Sequence, residues 1–221
     1  MSSNSKKVLV TGASGFIGTH LVKLLTQSGI QTVSVVRTKE KKQHVPNAVM
    51  MDLKNAAEVK AYLKNHYFDY IIHLASLGST MGGLHAVAEE TQMLFPLLEA
   101  FQNGWAGKLI YFGSADQYGS QEAPQKPDTL LLPINDYGFA KNVAQQWIFF
   151  AQQQCSFPVL ILRPFSVYGE NQPEHRFLVQ IIRACLQGNT FQMSHGNQIR
   201  DFIYVSDVCR AVLQAVLASS F

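Results

Sequence analysis

The chain has 221 residues, 47% of them hydrophobic and 15% charged, with a formal charge of +3 from 18 Lys and Arg against 15 Asp and Glu. That balance excludes a disordered or collagen-like chain, and a protein of this length buries about 70% of its unfolded surface, enough for a core without metal or disulfide staples. Basic residues are scattered apart from Lys39, Lys41 and Lys42, which is too weak a cluster to indicate a nucleic-acid partner, and no apolar run reaches membrane-spanning length.

The polar Met1 to Lys7 does not read as a signal peptide and runs into a short β-like segment, Lys6–Val10, that ends at Thr11-Gly12. Phe16, Ile17, Leu21, Leu24 and Leu25 then recur at helical spacing up to Ser28-Gly29. Strands are predicted over Thr32–Val36 and Ala48–Met51, a helix over Ala56–Lys64 and a strand over Tyr70–Leu74. A longer helix over His85–Gln102, a strand over Lys108–Phe112, a helix over Tyr137–Gln153 and a strand over Val159–Leu162 follow. Pro124, Pro127 and Pro133 mark the intervening Gln121–Asn135 as a surface loop. Beyond Pro164 come a loop, a helix near Phe177–Leu186, a strand near Arg200–Tyr204 and a helix over Val208–Leu217. This alternation predicts an α/β fold, a Rossmann-like doubly wound parallel sheet. Residues 1–165 are expected to form the dinucleotide-binding domain, and 166–221 a small or truncated substrate-binding lobe intertwined with it.

Glycines 12, 15 and 18 follow the first strand and open the first helix. Gly12 suits the tight turn, Gly15 the approach of a pyrophosphate, and Gly18 close helix packing, so the turn and the helix N-terminus are expected to form a dinucleotide-phosphate site. The second strand ends Val35-Val36-Arg37, with no carboxylate for a ribose hydroxyl. The Arg37 guanidinium instead suits a 2′-phosphate, which favours NADP(H), with NAD(H) as the alternative. Asp52 closes the third strand, placed to bond an adenine amine or to cap the next helix.

Tyr137 and Lys141 lie four residues apart, on one face of a predicted helix. A free phenol titrates near about 10, and a fixed positive charge nearby favours the phenolate. Ser114, ending the fifth strand, adds a hydroxyl for the same substrate oxygen. His73 reads as a core histidine, and His85, His175 and His195 lack metal-ligand spacing, so no metal is expected. The distant cysteines Cys155, Cys185 and Cys209 suggest a reduced, cytoplasmic protein. Trp105 and Trp147 read as packing residues, while Phe95, Leu97, Leu98 and Phe101 form either a core stripe or half of a helix-pair dimer interface.

With TGASGFIG at 11–18, MDL at 51–53, HLAS at 73–76, GSADQYG at 113–119, YGFAK at 137–141, RPFSVYG at 163–169 and RDFIYVSDV at 200–208, the sequence resembles the extended short-chain dehydrogenase/reductases that act as nucleotide-sugar epimerases, dehydratases and reductases. The resemblance implies that Ser114, Tyr137 and Lys141 are catalytic. It implies that Gly12, Ser14, Gly15, Phe16, Ile17, Arg37, Asp52, Leu53, Leu74, Ala75, Ser76, Tyr137, Lys141, Pro164 and Val167 hold the cofactor. Ser114, Asp116 and Arg200 would hold a nucleotide-sugar substrate, and a homodimer is implied as well. There are departures. The Asp-Glu acid pair of the dehydratases is replaced by Ala115-Asp116-Gln117, the usual Asn of the helix after HLA is Glu90, and Ser166 stands for another Asn. Relatives usually continue past the RDFIYV segment into a larger substrate lobe. The expected activity is reduction of a nucleotide-linked 4-keto-6-deoxy sugar by NADPH with Tyr137 as proton donor. The alternatives are an NAD-dependent 4-epimerase and a non-catalytic or truncated NADP-binding protein.

Overall fold

The computed structural model describes residues 6–76, 83–193 and 195–218. Eight strands and seven α-helices follow one another among them: β1 (Lys7–Thr11), α1 (Phe16–Gln27), β2 (Gln31–Val36), α2 (Lys39–Gln43), β3 (Ala48–Met50), α3 (Ala56–Asn65), β4 (Phe68–His73) and α4 (Leu84–Gln102) form the first half. The second half holds β5 (Ala106–Phe112), α5 (Asp136–Cys155), β6 (Val159–Leu162), β7 (Ser166–Tyr168), α6 (Phe177–Gln187), β8 (Phe202–Tyr204) and α7 (Val205–Leu217), with a single 3-10 turn at Ala115–Gln117.

Six strands make one parallel sheet in the order β3-β2-β1-β4-β5-β6. Val8 faces Thr32 of β2 on one side and Tyr70 of β4 on the other, so β1 is central. After β3 the chain crosses over β1 and continues outward on the other side. The connections leaving β1 and β4 therefore run to opposite faces, opening a crevice at the carboxyl ends of these strands. The fold is the doubly wound parallel sheet that the alternation predicts.

The sheet is covered on both faces, which is why its strands read as near-continuous apolar runs. On one face Leu9, Ile71, Leu109 and Tyr111 pack with Val59 and Leu63 of α3, Leu94 and Leu97 of α4, and Ala144 and Ile148 of α5. On the other, Val8, Val10, Ile72 and Ile110 pack with Leu21, Val22 and Leu25 of α1 and with Val205, Val208, Val212 and Val216 of α7. The Lys6 ammonium donates to the carbonyls of Val216 and Ala218, tying the start of the chain to the end of α7.

Two elements depart from the sequence reading. Residues 166–168 form β7, paired in parallel with β8, with Ser166 opposite Phe202. Residues 39–43 form α2, a five-residue helix with no buried residue, the Thr38 hydroxyl accepting from the Lys41 N–H. Trp147 is not a core residue: it is 43% exposed, edge-on to the half-exposed Phe95 at 5.0 Å, whereas Leu97, Leu98 and Phe101 are buried.

Candidate active site at the carboxyl edge of the sheet

Gly12 is where the crevice is made. Its φ of +69° is left-handed, and a Cβ there would lie 2.6 Å from the Ala75 nitrogen and 2.7 Å from the Leu74 carbonyl carbon. Only glycine lets the turn after β1 press against the segment leaving β4. Thr11 Oγ1 fastens the same junction, accepting from the Ala75 N–H at 3.3 Å and bonding His73 Nδ1 at 2.7 Å. A Cβ on Gly18 would lie 2.8 Å from Ala13 Cα, so this glycine seats α1 against the turn itself rather than against the strand.

Helix α1 starts at Gly15 with no side-chain cap and no acidic residue in its first turn. Its first N–H groups therefore remain available, at the positive end of the helix dipole, beside the crevice. Uncapped donors above a cradle that a Cβ would fill fit a dinucleotide pyrophosphate. Ser14, Phe16 and Ile17 lie half-buried around that start, as do Leu74, Ala75 and Ser76 beyond β4. Arg37 and Asp52 are exposed at the ends of β2 and β3. Asp52 Oδ1 accepts from the Lys54 N–H at 3.1 Å, and the cap of α3 is Asn55, which settles the capping alternative against Asp52. Leu53 is buried in the core, and Pro164 and Val167 are half-buried beyond β6.

Ser114 leaves β5 and starts the 3-10 turn, its Oγ accepting from the Asp116 N–H at 3.2 Å while Gln117 Oε1 accepts from the Ser114 N–H at 2.9 Å. The Ser114 hydroxyl proton is left to donate elsewhere. Asn135 caps α5 by accepting from the Gly138 N–H at 2.7 Å, which fixes Tyr137 in the first turn and Lys141 one turn later on the same face. A Cβ on Gly138 would meet the Asp116 carbonyl, with its carbon at 2.7 Å, so the serine turn and the tyrosine turn are in backbone contact. The Lys141 Nζ lies 5.9 Å from the centre of the Tyr137 ring. The Asp116 and Arg200 side chains are exposed, and the Arg200 guanidinium donates to Gln198 Oε1 at 2.7 Å.

One member of the cluster was not a predicted site residue. Lys141 is 1% exposed, and its ammonium pairs with Glu90 Oε1 at 2.5 Å, in an ion pair whose carboxylate is 4% exposed. Tyr111 donates to the same oxygen at 2.9 Å, and Ser76 to Oε2 at 3.0 Å. Burial pushes the Glu90 carboxyl up, but the charge of Lys141, with His73 and the bonds from Lys141 and Tyr111, outweighs it and leaves the carboxyl below its usual range. The Tyr111 phenol is raised well above its ordinary value by burial and by that carboxylate. His73, fully buried and stacked on Tyr111 at 5.8 Å, is pushed down to about 4, chiefly by burial. Its Nε2 has no hydrogen-bond partner among the described residues. The sequence signal for Glu90 was its place on the apolar stripe with Met93, Leu94 and Leu97, at helical spacing toward the core.

The family model described as the NAD dependent epimerase/dehydratase family matches residues 8–220. A UDP-glucose 4-epimerase from Azospirillum brasilense is 28% identical over 239 residues, covering 96% of this chain and 69% of that protein. The GDP-6-deoxy-D-talose 4-dehydrogenase of Aggregatibacter actinomycetemcomitans is 27% identical, covering 95% of this chain and 70% of that one. Among solved structures, UDP-glucuronic acid 4-epimerase from Bacillus cereus, in complex with UDP-glucuronic acid and NAD, superposes with a TM-score of 0.85 at 25% identity, covering 97% of this chain and 74% of the other. The glycine turn, the uncapped helix above it and the tyrosine–lysine pair across the crevice agree with that match along almost the whole chain. The chain thus belongs to the NAD-dependent epimerase/dehydratase family, enzymes of the extended short-chain dehydrogenase/reductase type.

Proposed function

We propose that this protein is an NAD-dependent 4-epimerase of a nucleotide sugar, replacing the NADPH-dependent reductase that the sequence alone favoured. The seating of Tyr137 over Lys141 beside the Ser114 turn, at the edge of the uncapped α1 crevice, supports nicotinamide-dependent chemistry at a sugar carbinol, and the choice of epimerisation within it rests on the relatives. Relatives named as UDP-glucose 4-epimerase support the same activity over reduction.

In this reading, residues 1–165 hold the cofactor and 166–221 contribute to the substrate side. Gly12, Ser14, Gly15, Phe16 and Ile17 form the pyrophosphate cradle, and Lys141 holds the nicotinamide ribose. Bound NAD would supply hydride acceptance and return at C4 of the sugar. Tyr137 Oη takes the proton of the 4-hydroxyl and later gives it back to the same oxygen. Ser114 donates its free hydroxyl proton to that oxygen, and Arg200 pairs with the nucleotide diphosphate. A fixed cation beside the phenol and a serine donor at the oxygen are what such proton shuttling needs near neutral pH. The protein works in the cytoplasm as a homodimer through α4 and α5, where Phe95, Trp147 and Phe150 stand exposed and Val143, Gln146, Trp147 and Phe150 line a groove that a second copy would cover.

The test is conversion of UDP-glucose to UDP-galactose, read by proton NMR, with no cofactor, NAD or NADP added. Conversion that consumes no external reductant supports the epimerase; net oxidation of NADPH with a 4-keto sugar overturns it. The reductase remains a second reading because Arg37 stands where an acidic residue would bind the NAD ribose, and because one relative is a 4-dehydrogenase of a deoxy sugar. Under that reading, Arg37→Ala weakens NADPH far more than NADH; an equal loss for both removes it.

A further inference from the structure

Ionised carboxylates are rarely kept in a protein interior, because desolvation costs several kcal/mol before any partner is counted. Glu90 is kept there, and each group bonded to it is a donor: Lys141 and Tyr111 at one oxygen, Ser76 at the other. The titratable groups facing it are Lys141 from α5, Tyr111 from β5 and His73 from β4, with Tyr137 on the far side of Lys141. Lys141 is thus shared between a carboxylate and the ring of the catalytic phenol. In a low-dielectric pocket a compensated ammonium acts on its surroundings as a dipole, with a much weaker field than a lone cation.

We propose that Glu90 is a positioning residue for the acid–base step: its carboxylate fixes the Lys141 ammonium and offsets part of the field that ammonium exerts at Tyr137. The consequence is a working pH range set higher than Lys141 alone would set it. The inference rests on the reading of Tyr137 as the group that takes the sugar proton. A carboxylate that only braced α4 against α5 would also be missed on removal, through lower stability and lower turnover, but its loss would not displace a pH profile.

The experiment uses Glu90→Gln, which keeps the shape and an acceptor oxygen for Lys141 and Tyr111 while removing the charge, and Glu90→Asp, which keeps the charge. With UDP-glucose as substrate, the acid limb of the pH–rate profile of Glu90→Gln moves to lower pH by roughly one unit, and Glu90→Asp brings it back toward the wild-type position. An unmoved limb in a folded Glu90→Gln protein overturns the proposal, whatever happens to its rate. Should that variant not fold by circular dichroism, Glu90→Asn, with room for a water beside Lys141, takes its place. A second readout needs no turnover: the phenolate absorbance of Tyr137 is followed against pH in wild type and Glu90→Gln, each referenced to its Tyr137→Phe partner. Absent epimerisation with an earlier phenolate rise in the variant would sink the epimerase reading and keep the role of Glu90. Coincident rises would sink the role of Glu90 alone.

Discussion

Replacing His73 with glutamine should remove most of the protein's loss of stability between neutral pH and the onset of carboxylate titration. His73 is fully buried at the end of β4, and its folded-state value is pushed down to about 4 from an ordinary 6.5. The folded protein therefore keeps the imidazole neutral at pH values where the unfolded chain has already taken up a proton. The unfolded state binds more protons, so stability falls as pH falls, beginning near 6.5 and ending near 4. The shift of about 2.5 units corresponds to about 3.4 kcal/mol at the acid limit, of which about 2.4 kcal/mol is lost between pH 7 and 4.5. Glu90 acts in the same direction but over a lower window: its folded value is also lowered, so its stabilising charge is lost only as pH falls from about 4.5 through that lowered value. The window from 6.5 to 4.5 thus isolates the histidine, and groups common to wild type and variant cancel in the comparison. Urea denaturation followed by circular dichroism at several pH values, for wild type and His73→Gln, measures the difference. The variant loses the Thr11 bond and starts less stable, but its curve against pH should be flatter by about 2 kcal/mol. Parallel curves would refute the reasoning, since the imidazole would then titrate alike in both states.

Three further outcomes are expected. Tyr137→Phe should keep NAD affinity, measured by calorimetry, and lose turnover by about 10²–10⁴-fold, the usual contribution of one proton-transferring group. Gly138→Ala places a methyl against the Asp116 carbonyl, so it should cost roughly 1–3 kcal/mol of stability in thermal melts and depress turnover by parting Ser114 from Tyr137. Trp147→Glu should shift sedimentation toward a monomer with little change in melting of the isolated fold, because Trp147 is exposed and set edge-on to Phe95 and Phe150.

The alternation of strands and helices was legible because a strand covered on both faces is a short continuous apolar run, as Val8 to Val10 is, while a helix spaces its apolar residues, as Leu21 to Leu25 does. Elements without a period escaped: β7 is three residues long, and α2 reads Lys-Glu-Lys-Lys-Gln with no apolar face to bury. Chain-order motifs placed Gly12, Tyr137 and Lys141, since a turn and an i,i+4 pair are local. The Glu90–Lys141 pair spans 51 residues and exists only because the crossover brings α4 against α5. A carboxylate on a core-facing stripe announces that a cation must meet it, but only the topology says which. Trp147 was misread for a related reason: aromatic size argues for burial, while the helix face it occupies is the one α5 turns away from α4's core side.

The closure of the sheet's second face by α7 bears on how the protein is made. Lys6 reaches carbonyls 210 and 212 residues further along, and the apolar stripe of α1 is covered by Val205 to Val216. A nascent chain on the ribosome has synthesised β1, α1 and the whole crevice long before it has the helix that shields them. During that interval the side of α1 that α7 later covers is open to solvent or a chaperone, with Leu21, Val22 and Leu25 backed only by the sheet. Release of even a few turns short of α7 would leave that stripe as a sticky surface beside an otherwise complete crevice.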